Sequence, residues 1–405
     1  MKSLLFPILI LIVFLQSKAD QWVAQTSGTA NNLYSVDFPS GDTGYVSGAG
    51  GTLLRTLNGG NAWTPLTSGT TQPLFAVVTP DKVLDTAYAV GGNGTILKTT
   101  NRGNNWTAQA SGTTAALRFA VAHGSLALAG GDSGVLVRTN NGGATWTRGS
   151  TGTSANLYSL GVSGGDSANS VVTMLVTSAN GIIKSLDTGK TWSAVSITSP
   201  PPLYAVQLIN SIAFAVGGSG AIFKSTNVGT SWTSISSGVT QQLNSVIFPD
   251  SNNIITNPGY IVGAGGFILK TITTGSSWTA QTSGTTQNLN AITFPHGNNI
   301  SGFYAYVVGN GGVILKGNIS TTPVLRIAKT GDRFGITKGG TLWYNLSVAS
   351  PVEALLFDAG GRLLFKIGES RQVAGHHEVP LPPEAVSGAS LLEFRAEGIR
   401  GVLPQ

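Results

Sequence analysis

The sequence predicts an all-β protein: a seven-bladed β-propeller followed by a small C-terminal β-sandwich. Three observations carry that prediction. Of 405 residues, 41% are apolar and only 10% are charged, and 55 are glycine. So low a charge leaves no wet faces for long helices or coiled coils, and so much glycine without a collagen period means many tight turns. Seven tryptophans recur (Trp22, Trp63, Trp106, Trp146, Trp192, Trp232 and Trp278) at gaps of 41, 43, 40, 46, 40 and 46 residues. Such a period marks a propeller or a solenoid. Finally, each period holds four short apolar runs rich in Val, Ile, Phe, Tyr and Thr, bounded by Gly, Asn and Ser, which read as strands.

The first run of each unit starts at a leucine: Leu33 to Phe38, Leu74 to Val78, Leu117 to Val121, Leu157 to Val162, Leu203 to Leu208, Leu243 to Phe248 and Leu289 to Phe294. The second resembles Tyr45-Val46. The third ends in a cation, and the fourth follows the tryptophan. Four strands in about forty residues is propeller arithmetic. Their contiguous apolar residues suit strands covered on both faces by neighbouring blades. The last unit, Leu289 to Lys316, lacks a tryptophan after it, while Trp22 precedes any complete unit. The segment carrying Trp22 is therefore expected to complete the last blade, closing the ring and hiding a sheet edge.

Between the third and fourth runs lies the pattern Ser/Thr, any, Asn/Asp, any, Gly, any, Thr/Ser, Trp, as in Ser185 to Trp192 and Ser225 to Trp232. Asn or Asp bonds its own backbone, Gly takes positive φ, and hydroxyls satisfy loop amides. Each tryptophan, set between blades, stabilises the fold by on the order of 4–6 kcal/mol as an upper bound. The motif reads as structural. It resembles the Asp-box, or BNR, repeat. With Trp278 to Leu289 leading into Tyr304 to Gly309, it resembles more closely the photosystem II stability and assembly factor family, over about residues 21–318. That resemblance implies a seven-bladed propeller and a protein-holding role. The family is also associated with an arginine-rich patch. The propeller's arginines (Arg55, Arg102, Arg118, Arg138 and Arg148) do not map onto it residue by residue.

The ends of the chain read differently. Lys2 followed by the apolar run Leu4 to Leu15 and by Ser17-Lys18-Ala19 predicts a signal peptide over 1–19, cleaved after Ala19. All six glutamates and six of eleven arginines lie beyond Pro323, which places a boundary between a propeller over 20–320 and a unit over 323–405. In that unit Val352 to Asp358 and Leu363 to Ile367 read as strands around a turn, Glu378 to Leu381 and Leu391 to Arg395 as further strands, and His376-His377 as an exposed turn. The order strand, Asp-x-x-Gly-Arg, strand, Gly375-His376-His377-Glu378 resembles the type IX secretion sorting domain, implying delivery through the periplasm to the bacterial surface.

No cysteine is present, which excludes disulfides and thiolate sites. The net charge of +6 is spread along the chain, unlike the basic stripe of a nucleic-acid binder. Glycoside hydrolysis needs a carboxylate pair or a Tyr/Glu pair, and no glutamate precedes Glu353. The nine propeller aspartates lie mostly in turns, with Asp37 alone on a first strand. No cofactor, metal site or catalytic residue is therefore expected. One position is uniform: Arg55, Lys98, Arg138, Lys184, Lys224, Lys270 and Lys316 close the third run of all seven units. They are either solvated strand ends or a rim that binds an anionic partner. The reading is an exported, monomeric, non-enzymatic platform for a protein or an anionic surface partner. The alternative is a sialidase-like or glucanase-like hydrolase.

Overall fold

A computed structural model describes residues 20–80, 84–163, 173–249, 258–295 and 303–319, and in the C-terminal part the strands between Arg333 and Pro404. The expected signal peptide lies outside the described residues.

Residues 20–319 form seven four-stranded antiparallel sheets. In blade 1 the strands are Leu33–Asp37, Gly44–Gly48, Leu53–Thr56 and Thr64–Leu66. Blades 2 to 6 repeat this order in sequence. Blade 7 takes its first three strands from Leu289–Thr293, Phe303–Gly309 and Ile314–Ile319, and its fourth from Gln21–Gln25. Trp22 pairs with Gly317 and Val23 with Lys316. The two ends of the repeat array thus share one sheet, as the tryptophan count predicted. First strands touch in cyclic order, blade 1 against blade 7 included, so they line a central channel.

Packing between blades follows the repeat. The tryptophan of one blade meets the second-strand residue of the blade before it. Trp22 stands edge-on to Tyr260 at 6.0 Å, Trp146 to Tyr88 at 6.0 Å and Trp278 to Phe214 at 6.2 Å. Apolar side chains of the middle strands are fully buried between these contacts, Val46, Ala89 and Ile261 among them. Hydrophobic burial between sheets, not within them, therefore holds the disc.

Each Trp motif folds as the sequence predicted. In blade 4 the Ser185 hydroxyl meets Asp187 Oδ1 at 2.8 Å, the Gly189 amide donates to Ser185 Oγ at 2.9 Å, and the Thr191 amide donates to Asp187 Oδ1 at 2.9 Å. Blade 5 repeats this with Asn227, and blade 6 with Thr273 in the acidic position.

Beyond the propeller, seven strands form two antiparallel sheets. One joins Arg333–Ile336, Thr341–Leu346 and Gly375–Pro380; the other joins Leu363–Gln372, Ser350–Phe357, Leu391–Ala396 and Ile399–Pro404. The sequence reading missed Arg333–Ile336, Thr341–Leu346 and Ile399–Pro404. It also placed His376 and His377 in a turn, and this is corrected: both lie within a strand whose residues alternate between exposed and half-buried. Alternation puts His376 and Glu378 on one face, 3.3 Å apart.

Candidate binding site at the channel mouth

Two sets of loops define two faces of the disc. The turn after each second strand meets the start of a first strand; the Ala49 amide, for example, donates to Asn32 O at 2.8 Å. The Trp motifs meet the loops between first and second strands on the opposite side; the Gly59 amide donates to Asp42 O at 2.9 Å. First strands thus begin at one face, and the Trp motifs occupy the other.

The seven cations sit toward the Trp-motif face, and all are half-buried. Five of the heads reach into the motif of the next blade. Lys98 Nζ donates to Gly142 O at 2.6 Å, Lys224 Nζ to Thr274 O at 2.6 Å, Lys316 Nζ to Gly59 O at 2.7 Å and Lys184 Nζ to Thr230 Oγ1 at 3.1 Å. Arg55 Nη1 donates to Arg102 O and, at 2.9 Å, to Asn104 Oδ1. Burial lowers the pKa of Lys184, Lys224 and Lys316, as it must where an ammonium leaves water. Blade 7 has no complete motif, because its third and fourth strands come from opposite ends of the repeat array. Asp20 takes its place: Lys270 Nζ bonds Asp20 Oδ1 at 2.9 Å and the Tyr260 hydroxyl donates to Asp20 Oδ2 at 2.7 Å. The Asp20 side chain is wholly buried, so a carboxylate does for the closing blade what backbone carbonyls do elsewhere. Arg138 Nε is buried with no hydrogen-bond partner.

The opposite face carries a second ring that the sequence reading did not single out. In all seven blades the register of the first strand slips between its first and third residues, as between Leu33 and Ser35. A bulge re-aims the residue it contains. Those residues are Tyr34, Phe75, Arg118, Tyr158, Tyr204, Asn244 and Asn290. Five of them form a continuous arc at the channel mouth. The rings of Tyr34 and Phe75 lie 5.4 Å apart, and those of Tyr158 and Tyr204 5.1 Å apart. The Arg118 guanidinium bridges the two pairs, 5.3 Å from the Phe75 ring and 5.9 Å from the Tyr158 ring. It is held by Asp132, through Nε to Oδ1 and through Nη2 to Oδ2 at 3.0 Å. Asn244 and Asn290 close the circle by donating to Leu289 O at 2.8 Å and Leu33 O at 2.7 Å in the next blade.

All seven ring residues are half-buried, and the Tyr34, Tyr158 and Tyr204 hydroxyls have no hydrogen-bond partner among the described residues. Burial, and then the Tyr158 hydroxyl, raises the pKa of Tyr204, so the phenol stays protonated and can donate. A signal for this ring was present in the sequence. The residue after the first leucine of each unit is large and amphipathic where a covered strand would carry a small or aliphatic one.

Among the described propeller carboxylates the exposed Asp42 has no side-chain partner, and the others are engaged. Asp37 Oδ2 accepts from the Thr79 amide at 2.8 Å and its hydroxyl at 2.5 Å; Asp85 pairs with Arg102 at 2.6 Å. Asp132 holds Arg118, Asp20 holds Lys270, and Asp187 serves its turn. Asp81, Asp166, Asp250 and His296 lie outside the described residues, while His123 ends the first strand of blade 3 and is exposed.

Comparison with known proteins places the fold. A family model described as photosynthesis system II assembly factor YCF48 matches residues 15–109. No curated protein matches the sequence. Among solved structures, "YCF48 bound to D1 peptide" superposes with a TM-score of 0.61 at 17% identity, covering 75% of this chain and 96% of that one. The GH74 enzyme of Niastella koreensis gives 0.57 at 18% identity, covering 80% of this chain and 58% of that enzyme. The GH74 xyloglucanase of Xanthomonas campestris gives 0.55 at 15%, covering 80% and 59%. The chain thus spans the YCF48 structure and just over half of each GH74 enzyme. The first repeats are similar to those that the YCF48 family model describes, and the solved structures show the propeller fold.

Proposed function

We propose that the propeller is an exported, non-enzymatic binding platform whose working surface is the channel-mouth face. The observation that carries this reading is where unengaged groups lie. Among the described propeller aspartates, Asp20, Asp37, Asp85, Asp132 and Asp187 all have partners inside the molecule and Asp42 alone has none, so the described residues hold no free carboxylate pair ready as acid and base. The mouth, in contrast, presents half-exposed aromatic rings and three phenol hydroxyls that nothing else uses. The bound peptide in the YCF48 structure supports a holding role for this kind of disc. An acidic partner on the other face would have to compete for five of the seven cations with the turns they already hold, and for Lys270 with Asp20. The C-terminal unit is read as the element that delivers the disc to the cell surface.

The rival reading, a glycoside hydrolase, draws on the GH74 likeness. The two separate in one assay. The full chain is incubated with xyloglucan and new reducing ends are followed. The platform reading expects none above the blank. Sustained release of reducing ends, abolished by substituting any one aspartate, would establish the hydrolase instead.

A further inference from the structure

The proposed platform can be given a ligand, and the inference rests on the non-enzymatic reading above. We infer that the mouth binds a neutral glycan, with pyranose rings laid on the aromatic arc and sugar hydroxyls paired with the phenols.

Four observations lead there. The first is charge. The loops that surround the mouth run 26–32, 67–73, 110–116, 150–156, 196–202, 236–242 and 282–288, with the turns after each second strand. They consist of Ser, Thr, Asn, Gln, Gly, Pro and apolar residues, and Asp132 is their one charged residue. Asp132 is paired with Arg118, so the mouth itself offers little net charge to an ionic partner; the exposed Arg148 stands apart on a fourth strand, in the pocket between loops 67–73 and 110–116.

The second is shape and chemistry together. Tyr34, Phe75, Tyr158 and Tyr204 offer flat apolar faces around an opening, and three of them carry a hydroxyl that can both donate and accept. A sugar ring presents the matching pair: an apolar face of C–H groups and an equatorial belt of hydroxyls. Apolar lining with a few well-placed polar groups is the common build of such sites.

The third observation weighs against a peptide. An extended peptide would add to the channel-side edge of a first strand through main-chain bonds. In blades 2, 5 and 6 that edge is already capped by side chains of the preceding blade. Ser35 Oγ takes the Val77 amide at 3.3 Å, Asp37 the Thr79 amide at 2.8 Å, Ser159 Oγ the Val206 amide at 3.3 Å and Gln207 Oε1 the Phe248 amide at 2.7 Å.

The fourth is rigidity. Arg118 is fixed at both ends of its fork and lies beside two rings, so the arc keeps its form before any ligand arrives.

The test is isothermal titration of the full chain with cellohexaose, mannohexaose and xyloglucan as neutral probes. An oligogalacturonate serves as the anionic control and an uncharged proline-rich decapeptide as the peptide arm. At least one neutral probe is expected to bind at micromolar to millimolar strength, with oligogalacturonate at least about tenfold weaker. The double variant Tyr158→Ala, Tyr204→Ala should lose about tenfold or more. Tyr204→Phe, which keeps the ring and the packing, should lose about threefold to fivefold. Leu186→Ser, at the exposed turn on the other face, should bind as the parent does. Silence from all three neutral probes overturns the inference. So does neutral-probe binding that Tyr204→Phe leaves untouched. Binding of the decapeptide alone overturns it too, yet leaves the platform reading standing. Cleavage of a bound probe removes the platform reading itself.

Discussion

Asp187 shows how much one side chain can be tuned by a turn. The Thr191 hydroxyl donates to its Oδ2 at 2.6 Å and the Thr191 amide to its Oδ1 at 2.9 Å. These bonds hold its carboxyl well below the usual carboxylate range, with Ser185 and the Lys190 amide adding to them. A carboxylate whose pKa is depressed by folding stabilises the protein above its unfolded value of about 4, and that contribution is lost as pH falls toward the folded value. Asparagine fills the same position in four sister motifs: Asn58, Asn101, Asn141 and Asn227. Asp187→Asn should therefore fold normally. Its urea midpoint should trail the parent's at pH 7, and the gap should narrow on going to pH 3. A gap that widens in acid would mean the carboxylate is not the stabilised form. The sequence named this residue as a turn former, because hydroxyl, acid and glycine at fixed spacing describe a self-satisfied loop. It could not name Asp20 as the partner of Lys270. The two lie 250 positions apart, and only the closed ring brings them together.

At the level of the element, the motif glycine matters for two separate reasons. Gly275 has φ of +75°, and a Cβ placed there would lie 2.2 Å from Phe214 Cε1 of the preceding blade. Gly28 has the same φ of +75°, yet nothing lies within 4 Å of the added carbon. The pair separates backbone strain from crowding between blades. Gly28→Ala should cost about 1 kcal/mol, the strain of a left-handed alanine. Gly275→Ala adds overpacking and should cost roughly 1–3 kcal/mol more. Equal midpoints in denaturant would show that blades slide apart easily and that the glycine is not a packing residue. Strand identity was legible here because apolar runs and turn residues alternate so regularly. The first-strand bulge was not, since a one-residue slip leaves no mark in an apolar pattern that is contiguous anyway. For the same reason the mouth ring went unseen, although its residues stand in plain register one place after each first leucine.

For the whole molecule, seven equivalent sheets give two unlike faces. One face is consumed by the structure: cations, turn carbonyls and tryptophans lock blade to blade. The other leaves the Tyr34, Tyr158 and Tyr204 hydroxyls without partners among the described residues. Periodicity made the ring and its closure readable, because seven tryptophans and seven units match only if Trp22 belongs to the last blade. The division of labour between the faces was not readable. It depends on which way side chains leave each strand, and the repeat alone puts the cations on a rim without saying that they point into the next blade. In the C-terminal unit, three strands escaped the reading: Gly335 and Gly401 interrupt Arg333–Ile336 and Ile399–Pro404 as turn residues would, while the apolar run Leu342-Trp343-Tyr344 in Thr341–Leu346 was legible and overlooked.

Every part of this account needs the circle to be closed, since the mouth itself is completed only where Asn290 of blade 7 meets Leu33 of blade 1, 2.7 Å from donor to acceptor. Hydrogen–deuterium exchange of Gln21–Gln25, in the full chain at neutral pH, reads that closure directly. Backbone amides paired with Ile314–Ile319 should exchange slowly, in step with those of the neighbouring strand Phe303–Gly309. Exchange of Gln21–Gln25 at the rate of an unstructured peptide, with blade 7 open beside it, would contradict the account.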